Sequence, residues 1–282
     1  MSATPEAIRR AAELACLLEV MAPKPGNVSP GHPFPDTGVE EFAASAVAIG
    51  PEIGAAGTRP LGETIEAAMR ATRELVRVNT NLGMILLLAP LARAAAIGGP
   101  REAALAAVLG GTTVEDARAT YRAIRLAHPG GLGHAPDQDV AGEPTVTLQA
   151  AMALAADRDS VAGEYVTGFA LTLGTGVPAL RRARADGLGW ADAVLETFLH
   201  LLAAAPDTHI ARRAGPAAAR DATAAARGAL AAGGVRTADG RAAVAALDRR
   251  LRDPAHRLNP GTTADLTAAA LFATILDGGW ST

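Results

Sequence analysis

Lysine is almost missing from this chain of 282 residues: of its 26 basic side chains only Lys24 is a lysine, and the others are arginine. Arginine replaces lysine freely wherever a positive charge merely faces water, so the surviving ammonium marks a place where a compact point charge is needed. Cysteine is nearly absent too. Cys16 has no second cysteine to pair with, which excludes a disulfide within the chain and suits a reducing, cytoplasmic setting. Nine aromatic residues in the whole chain, against abundant alanine and leucine, give strands little support. No long apolar run survives: Leu82 to Ala92 is interrupted by Pro90 and stopped by Arg93, so no membrane segment is expected. Neither charge dominates. A net charge of −3 with both signs interspersed provides no footprint for nucleic acid and no polybasic anchor, which leaves small molecules and a second copy of the chain as partners, with a homodimer as the expected assembly. Walker A, HExxH, GxSxG and protein-kinase patterns are all missing.

What is present is helical periodicity. Apolar positions recur at helix spacing over 5–21, 39–49, 61–77, 83–97, 101–109, 114–126, 145–155, 159–173, 188–204, 208–231, 238–252 and 263–277. The expected fold is all-α, one domain over 1–282 with about ten to thirteen helices. Proline, glycine and asparagine interrupt the pattern at 23–38, 79–83, 128–144 and 259–263, and loops of this kind carry chemistry more often than helix faces do.

Several segments, in these interruptions and at helix starts, have two readings. In Asn79-Thr80-Asn81-Leu82-Gly83 the carboxamides of Asn79 and Asn81 either read a base or a sugar hydroxyl or cap the following helix, with Gly83 in its first turn. In Asp207-Thr208-His209-Ile210-Ala211-Arg212-Arg213 the acid at a probable helix start and Arg213 nearly two turns along either suit contacts at separate points on one extended polyphosphate or are an ordinary cap followed by solvated arginines; His209 fits both. In Pro260-Gly261-Thr262-Thr263-Ala264-Asp265 the hydroxyls and amides of Thr262 and Thr263 face phosphate oxygens while Asp265 holds magnesium, or Thr262 and Asp265 form a capping box. Asp157 and Asp159, around Arg158, either join a metal cluster or serve as a cap plus a local ion pair. The glycines of 128–140 suit a segment that closes over a substrate.

Taken in order, Glu19-Val20 with Pro23-Lys24-Pro25-Gly26, Thr80-Asn81 with Gly83, Asp207-Thr208 with Arg213 and Gly215, and Pro260-Gly261 with Ala264-Asp265-Leu266 resemble the triphosphoribosyl-dephospho-CoA synthase family. The resemblance spans 19–266. It implies an all-helical transferase that moves the triphosphoribosyl group of ATP to the 2′-hydroxyl of dephospho-CoA, with adenine leaving and Mg2+ as the cofactor. Carried onto this chain, it implies Glu19, Asp207 and Asp265 as catalytic acids, Asp207 and Asp265 as metal ligands, and Lys24, Gly26, Asn27, Asn79, Asn81, Gly83, Arg213, Thr262 and Thr263 as nucleotide-binding residues. The chain departs from the family pattern at Gly31-His32-Pro33-Phe34-Pro35-Asp36, which leaves the acceptor open. The alternatives are an ATP-using enzyme of another coenzyme pathway, acting on a pterin or furan precursor, and a non-catalytic nucleotide-binding helical protein.

Overall fold

The computed structural model describes residues 2–131 and 133–280. Among the described residues there are fourteen α-helices and no strand, only an isolated bridge between Ser29 and His32. The helices group into two compact units, Met1–Leu17 with Glu40–Phe169, and Leu18–Val39 with Ala170–Thr282. No single described helix is long and apolar enough to cross a membrane.

The first unit holds most of α1 (Pro5–Met21), then α2 (Val39–Gly54), α3 (Leu61–Leu75), α4 (Leu82–Ile97), α5 (Arg101–Gly110), α6 (Val114–Ala127), α7 (Leu148–Ala153) and α8 (Ser160–Thr167). The Thr4-Pro5-Glu6 start works as its sequence suggests, with Thr4 Oγ1 accepting from Ala7 N at 3.2 Å. Helices α3 and α6 meet so closely that a Cβ on Gly62 would lie 2.5 Å from Asp116 Cα. Asp116 ties them by accepting from Gly62 N at 2.8 Å while completing a capping box with Thr113.

Helix α4 is buried on nearly every side and contains Pro90, which has no N–H to give the carbonyl of Leu86. The hydroxyl of fully buried Tyr165, on α8, supplies the missing donor at 2.7 Å. Burial without an ionic partner also raises the Tyr165 phenol well above its ordinary pKa, so it stays a donor. The segment expected to close over a substrate is pinned beyond residue 135: Tyr121 donates to the Gln138 carbonyl, Arg125 to that of Val140 at 2.7 Å, and Asp139 closes the turn through Ala135 N and Ala141 N. Leu132, within that segment, lies outside the described residues.

The second unit contains α9 (Val177–Ala185), α10 (Trp190–Ala204), α11 (Thr208–Ala214), α12 (Pro216–Ala231), α13 (Ala238–Leu251) and α14 (Gly261–Leu276). Two differences from the sequence reading explain the larger helix count. The single helix expected over 208–231 breaks at Gly215, whose φ of +93° ends α11 and lets Pro216 begin α12. Helix α9 was hidden behind the glycines of a widened π-helical turn, Thr172–Gly176. Gly176 is there for packing: a Cβ on it would lie 2.8 Å from the Ala270 Cβ of α14. Phe198, Leu199, Leu202, Ile210 and Ala226 form the centre of the core that joins α10, α11, α12 and α13, each large apolar side chain contributing about 1.5–3 kcal/mol by its burial.

Replacing Tyr165 by phenylalanine should strand the Leu86 carbonyl and cost about 1–3 kcal/mol. In a Pro90→Ala background the regained N–H covers that carbonyl, so the same substitution should cost clearly less in a denaturant double-mutant cycle. Equal costs in both backgrounds would show that the hydroxyl does not serve the proline gap.

Candidate functional site

Asp207 joins two helix N-termini. As the cap of α11 its Oδ1 accepts from Ile210 N at 3.0 Å, and its Oδ2 accepts from both the backbone N and the hydroxyl of Thr263, each at 2.7 Å, in the first turn of α14. Thr208 and Thr262, beside it, share a hydroxyl contact of 3.1 Å. The first turn of α14 is thus capped by a residue far away in the chain, its own N-cap residue Pro260 having no side-chain cap bond. The anion that the α14 N-terminus attracts is thus the protein's own carboxylate. Burial pushes the Asp207 pKa upward, against the pull of the Ile210 and Thr263 donors. Asp265 is half-buried in the same turn of α14.

The segment around Lys24 docks onto the chain just ahead of α14. Lys24 is fully buried, its Nζ 2.9 Å from Glu19 Oε1, and it also donates to the carbonyls of Glu19 and of Ala22. All three ammonium hydrogens therefore have oxygens from its own segment. Glu19 is 2% exposed; burial raises its pKa and the Lys24 charge opposes the rise. In this arrangement Glu19 is an ion-pair partner rather than an open base. Gly26 turns the chain at φ +74°, gives its N–H to Asp248 Oδ1 at 2.9 Å, and leaves no room for a side chain, since a Cβ would lie 2.7 Å from that of Leu251 and 3.1 Å from Pro260 Cδ. Asn27 Nδ2 donates to Asn259 Oδ1 at 2.6 Å, and Arg252 binds both the Asn27 carbonyl and Asp248.

Three of the four ordered segments, 19–27, 207–213 and 259–265, thus form one linked cluster in the second unit. The fourth lies in the first unit. There Asn79 Oδ1 accepts from Leu82 N at 3.2 Å, a local cap, Thr80 meets Ser45 at 2.5 Å, and Gly83 is half-buried in the first turn of α4. Asn81 is buried and donates to Thr72 at 3.0 Å, while its Oδ1 has no hydrogen-bond partner. Arg213 is exposed and reaches the Ala255 carbonyl at 3.4 Å. Asp159 caps α8 through Val161 N at 2.9 Å and Asp157 pairs with Arg158 on the surface, as the reading of a cap plus a local ion pair expects. Among the described residues no three His, Cys, Asp or Glu side chains are grouped to hold a metal.

The sequence reading missed Asp248, Arg252 and Asn259, whose contacts with Gly26 and Asn27 bridge more than two hundred residues and so leave no local signal. It also left His209 undecided. The imidazole packs on Gly261, where a Cβ would stand 2.8 Å from Nδ1, and its Nε2 is buried with no hydrogen-bond partner. Burial first, then Arg212 and Arg213, lower its pKa to about 4. Between pH 6.5 and 4 the unfolded chain therefore takes up a proton that the folded one refuses, so this contribution to stability is lost as pH falls. Urea unfolding should show the wild type losing about 2 kcal/mol more than His209→Gln between pH 7 and pH 5. Equal losses would mean that the ring titrates freely.

A relative from Pseudomonas putida is 32% identical over 105 residues, covering 37% of this chain and 37% of its own. One from Pseudomonas aeruginosa (strain UCBPP-PA14) is 34% identical over 117 residues, covering 40% and 39%. Both are provisionally named 2-(5''-triphosphoribosyl)-3'-dephosphocoenzyme-A synthase. The chain thus spans well under half the length of these relatives in the matched region. A crystal structure from Archaeoglobus fulgidus, provisionally assigned as a triphosphoribosyl-dephospho-CoA synthase, superposes with a TM-score of 0.65 and 28% identity over 83% of this chain and 98% of that one. The model of the ATP:dephospho-CoA triphosphoribosyl transferase family matches residues 5–282, and the chain belongs to that family.

Proposed function

We propose that the chain transfers the triphosphoribosyl group of ATP to a hydroxyl of dephospho-CoA and releases adenine. The observation that carries this reading is the cluster in the second unit, where Asp207 and the Gly26-Asn27 turn lock three ordered segments together, within a family match over nearly the whole chain. In the reaction the acceptor oxygen bonds to C1′ of the ATP ribose and the C1′–N9 bond breaks. Adenine leaves with that electron pair and gains a proton, and the hydroxyl loses one; the triphosphate stays on the sugar.

Arg213, an exposed cation on α11, is assigned to the triphosphate, where a guanidinium fork suits phosphate oxygens. Asp207 holds α11 and α14 in place for it, and Lys24 and Glu19 act as positioning residues that fix the loop entering the cluster. The donor set fits magnesium at Asp265, because this ion uses one or two carboxylates with substrate phosphates and keeps its waters. Asp207 fits it poorly, since its oxygens already accept three hydrogen bonds. When bound with ATP, Mg2+ would neutralise phosphate charge. A cytoplasmic setting, which suits a buried cysteine that forms no disulfide within the chain, and a homodimer complete the proposal.

Incubation with ATP, magnesium and dephospho-CoA should yield free adenine and a product heavier by the triphosphoribosyl group in a mass spectrum. ADP or pyrophosphate in place of adenine would favour another coenzyme pathway, and binding without turnover a nucleotide sensor.

The acids should separate in their effects. Asp265→Asn should weaken magnesium-dependent ATP binding about tenfold, roughly 1.4 kcal/mol. Asp207→Asn should lower the midpoint first, at a cost of about 1–3 kcal/mol. An Asp207→Asn protein as stable as the wild type would overturn the shared-cap role.

Lys24→Arg should lower both stability and turnover, the latter at least tenfold, or about 1.4 kcal/mol. A planar guanidinium cannot meet three oxygens arranged around one buried point. Wild-type stability and turnover in that variant would show that any cation serves.

A further inference from the structure

We propose that Phe34 and His256 form a stacking platform for the adenine ring of a nucleotide substrate, an inference that rests on the transferase reading above. The rings stack with centroids 4.0 Å apart and planes 25° from parallel. Phe34 stands between Pro33 and Pro35, whose rings restrict the backbone on both sides. Two tight turns hold the segment: His32 N donates to the Ser29 carbonyl at 2.8 Å, and Phe34 N to that of Thr37 at 2.8 Å. This rigid mount does not serve the core. Phe34 is half-buried and is not among the residues packed into the core of α10 to α13, whereas Tyr165, Phe169, Phe198 and Phe272 are wholly buried.

His256 is held in an unfavourable way for a mere spacer. Its φ of +50° lies in the left-handed region, which a side chain with a Cβ adopts reluctantly, and its N–H closes a turn on the Asp253 carbonyl at 3.0 Å. Its Nε2 is buried with no hydrogen-bond partner. The chain therefore spends two of its few ring side chains, a strained backbone and an unpaired ring nitrogen on a stack at the edge of the site cluster. Arg213 reaches the carbonyl of Ala255, the residue before His256, so a cation stands beside the stack. A flat apolar face next to a guanidinium matches a nucleotide, which offers a base with a π-face at one end and phosphates at the other.

Adenine is present in both ATP and dephospho-CoA, so calorimetric titration with each alone, in magnesium buffer, distinguishes the sources. Phe34→Leu should weaken at least one of them tenfold or more, while Phe34→Tyr stays within about threefold of wild type, since it keeps the π-face. The nucleotide that loses affinity is the one whose adenine stacks there. Unchanged affinity for both in Phe34→Leu would overturn the platform. So would equal losses in the Leu and Tyr variants together with a lowered thermal midpoint, which mark a loop anchor. Wild-type protein that binds neither nucleotide would overturn the transferase reading itself, and the platform with it.

Discussion

One buried carboxylate organises the second unit. Asp207 serves two helix ends at once, and each of its oxygens is held by donors from a different helix. Burying a charge is costly on its own, but three short hydrogen bonds and two helix N-termini return most of that cost. The arrangement also has consequences along the chain. Fixing the first turn of α14 fixes the Asn259-Pro260 turn before it, on which Gly26 and Asn27 rest, and fixing the first turn of α11 fixes His209 and the direction in which Arg213 departs. Losing Asp207 would loosen each of these contacts together, which puts a helix cap at the centre of the candidate site.

The solitary lysine fits the same logic. Its ammonium faces neither water nor an open groove; it is enclosed by one carboxylate oxygen and two carbonyls of its own segment. Arginine could replace lysine at every surface position because hydration tolerates either cation, but a closed shell of three oxygens selects for size and for donors that point around a single centre. The pressure that retained Lys24 is therefore the packing of a loop that must hold its shape.

Much of the helical framework was legible because helix formation is local. Thr4-Pro5-Glu6 announced α1, and the apolar run at 82–92 was a core helix despite Pro90. What was hidden depends on distance along the chain. No pattern near Pro90 reveals that Tyr165 covers the carbonyl it frees, and nothing near Gly26 reveals Leu251. Glycine was ambiguous for the same reason: at 215 it ends a helix, whereas at 176 it admits Ala270 inside a continuing one, and composition alone does not separate a stop from a close contact. In the site, the sequence identified Asp207 as either cap or ligand. The choice turned on Thr263, fifty-six residues further on.

The composition makes this reliance on polar links intelligible. Alanine-rich helices approach one another closely, but their short side chains interlock weakly and define few unique positions. Loops attached to such helices need other anchors if they are to present chemistry at fixed points. Here prolines on either side of a single side chain set its exit direction, turning Lys24 inward to three oxygens and Phe34 outward onto His256. Side-chain hydrogen bonds then tie those loops to helix ends through Asp248, Asn259 and Asp207. A framework with little shape information of its own thus locates its loops by electrostatics and backbone restraint. That is why its informative residues are the few that break the alanine pattern.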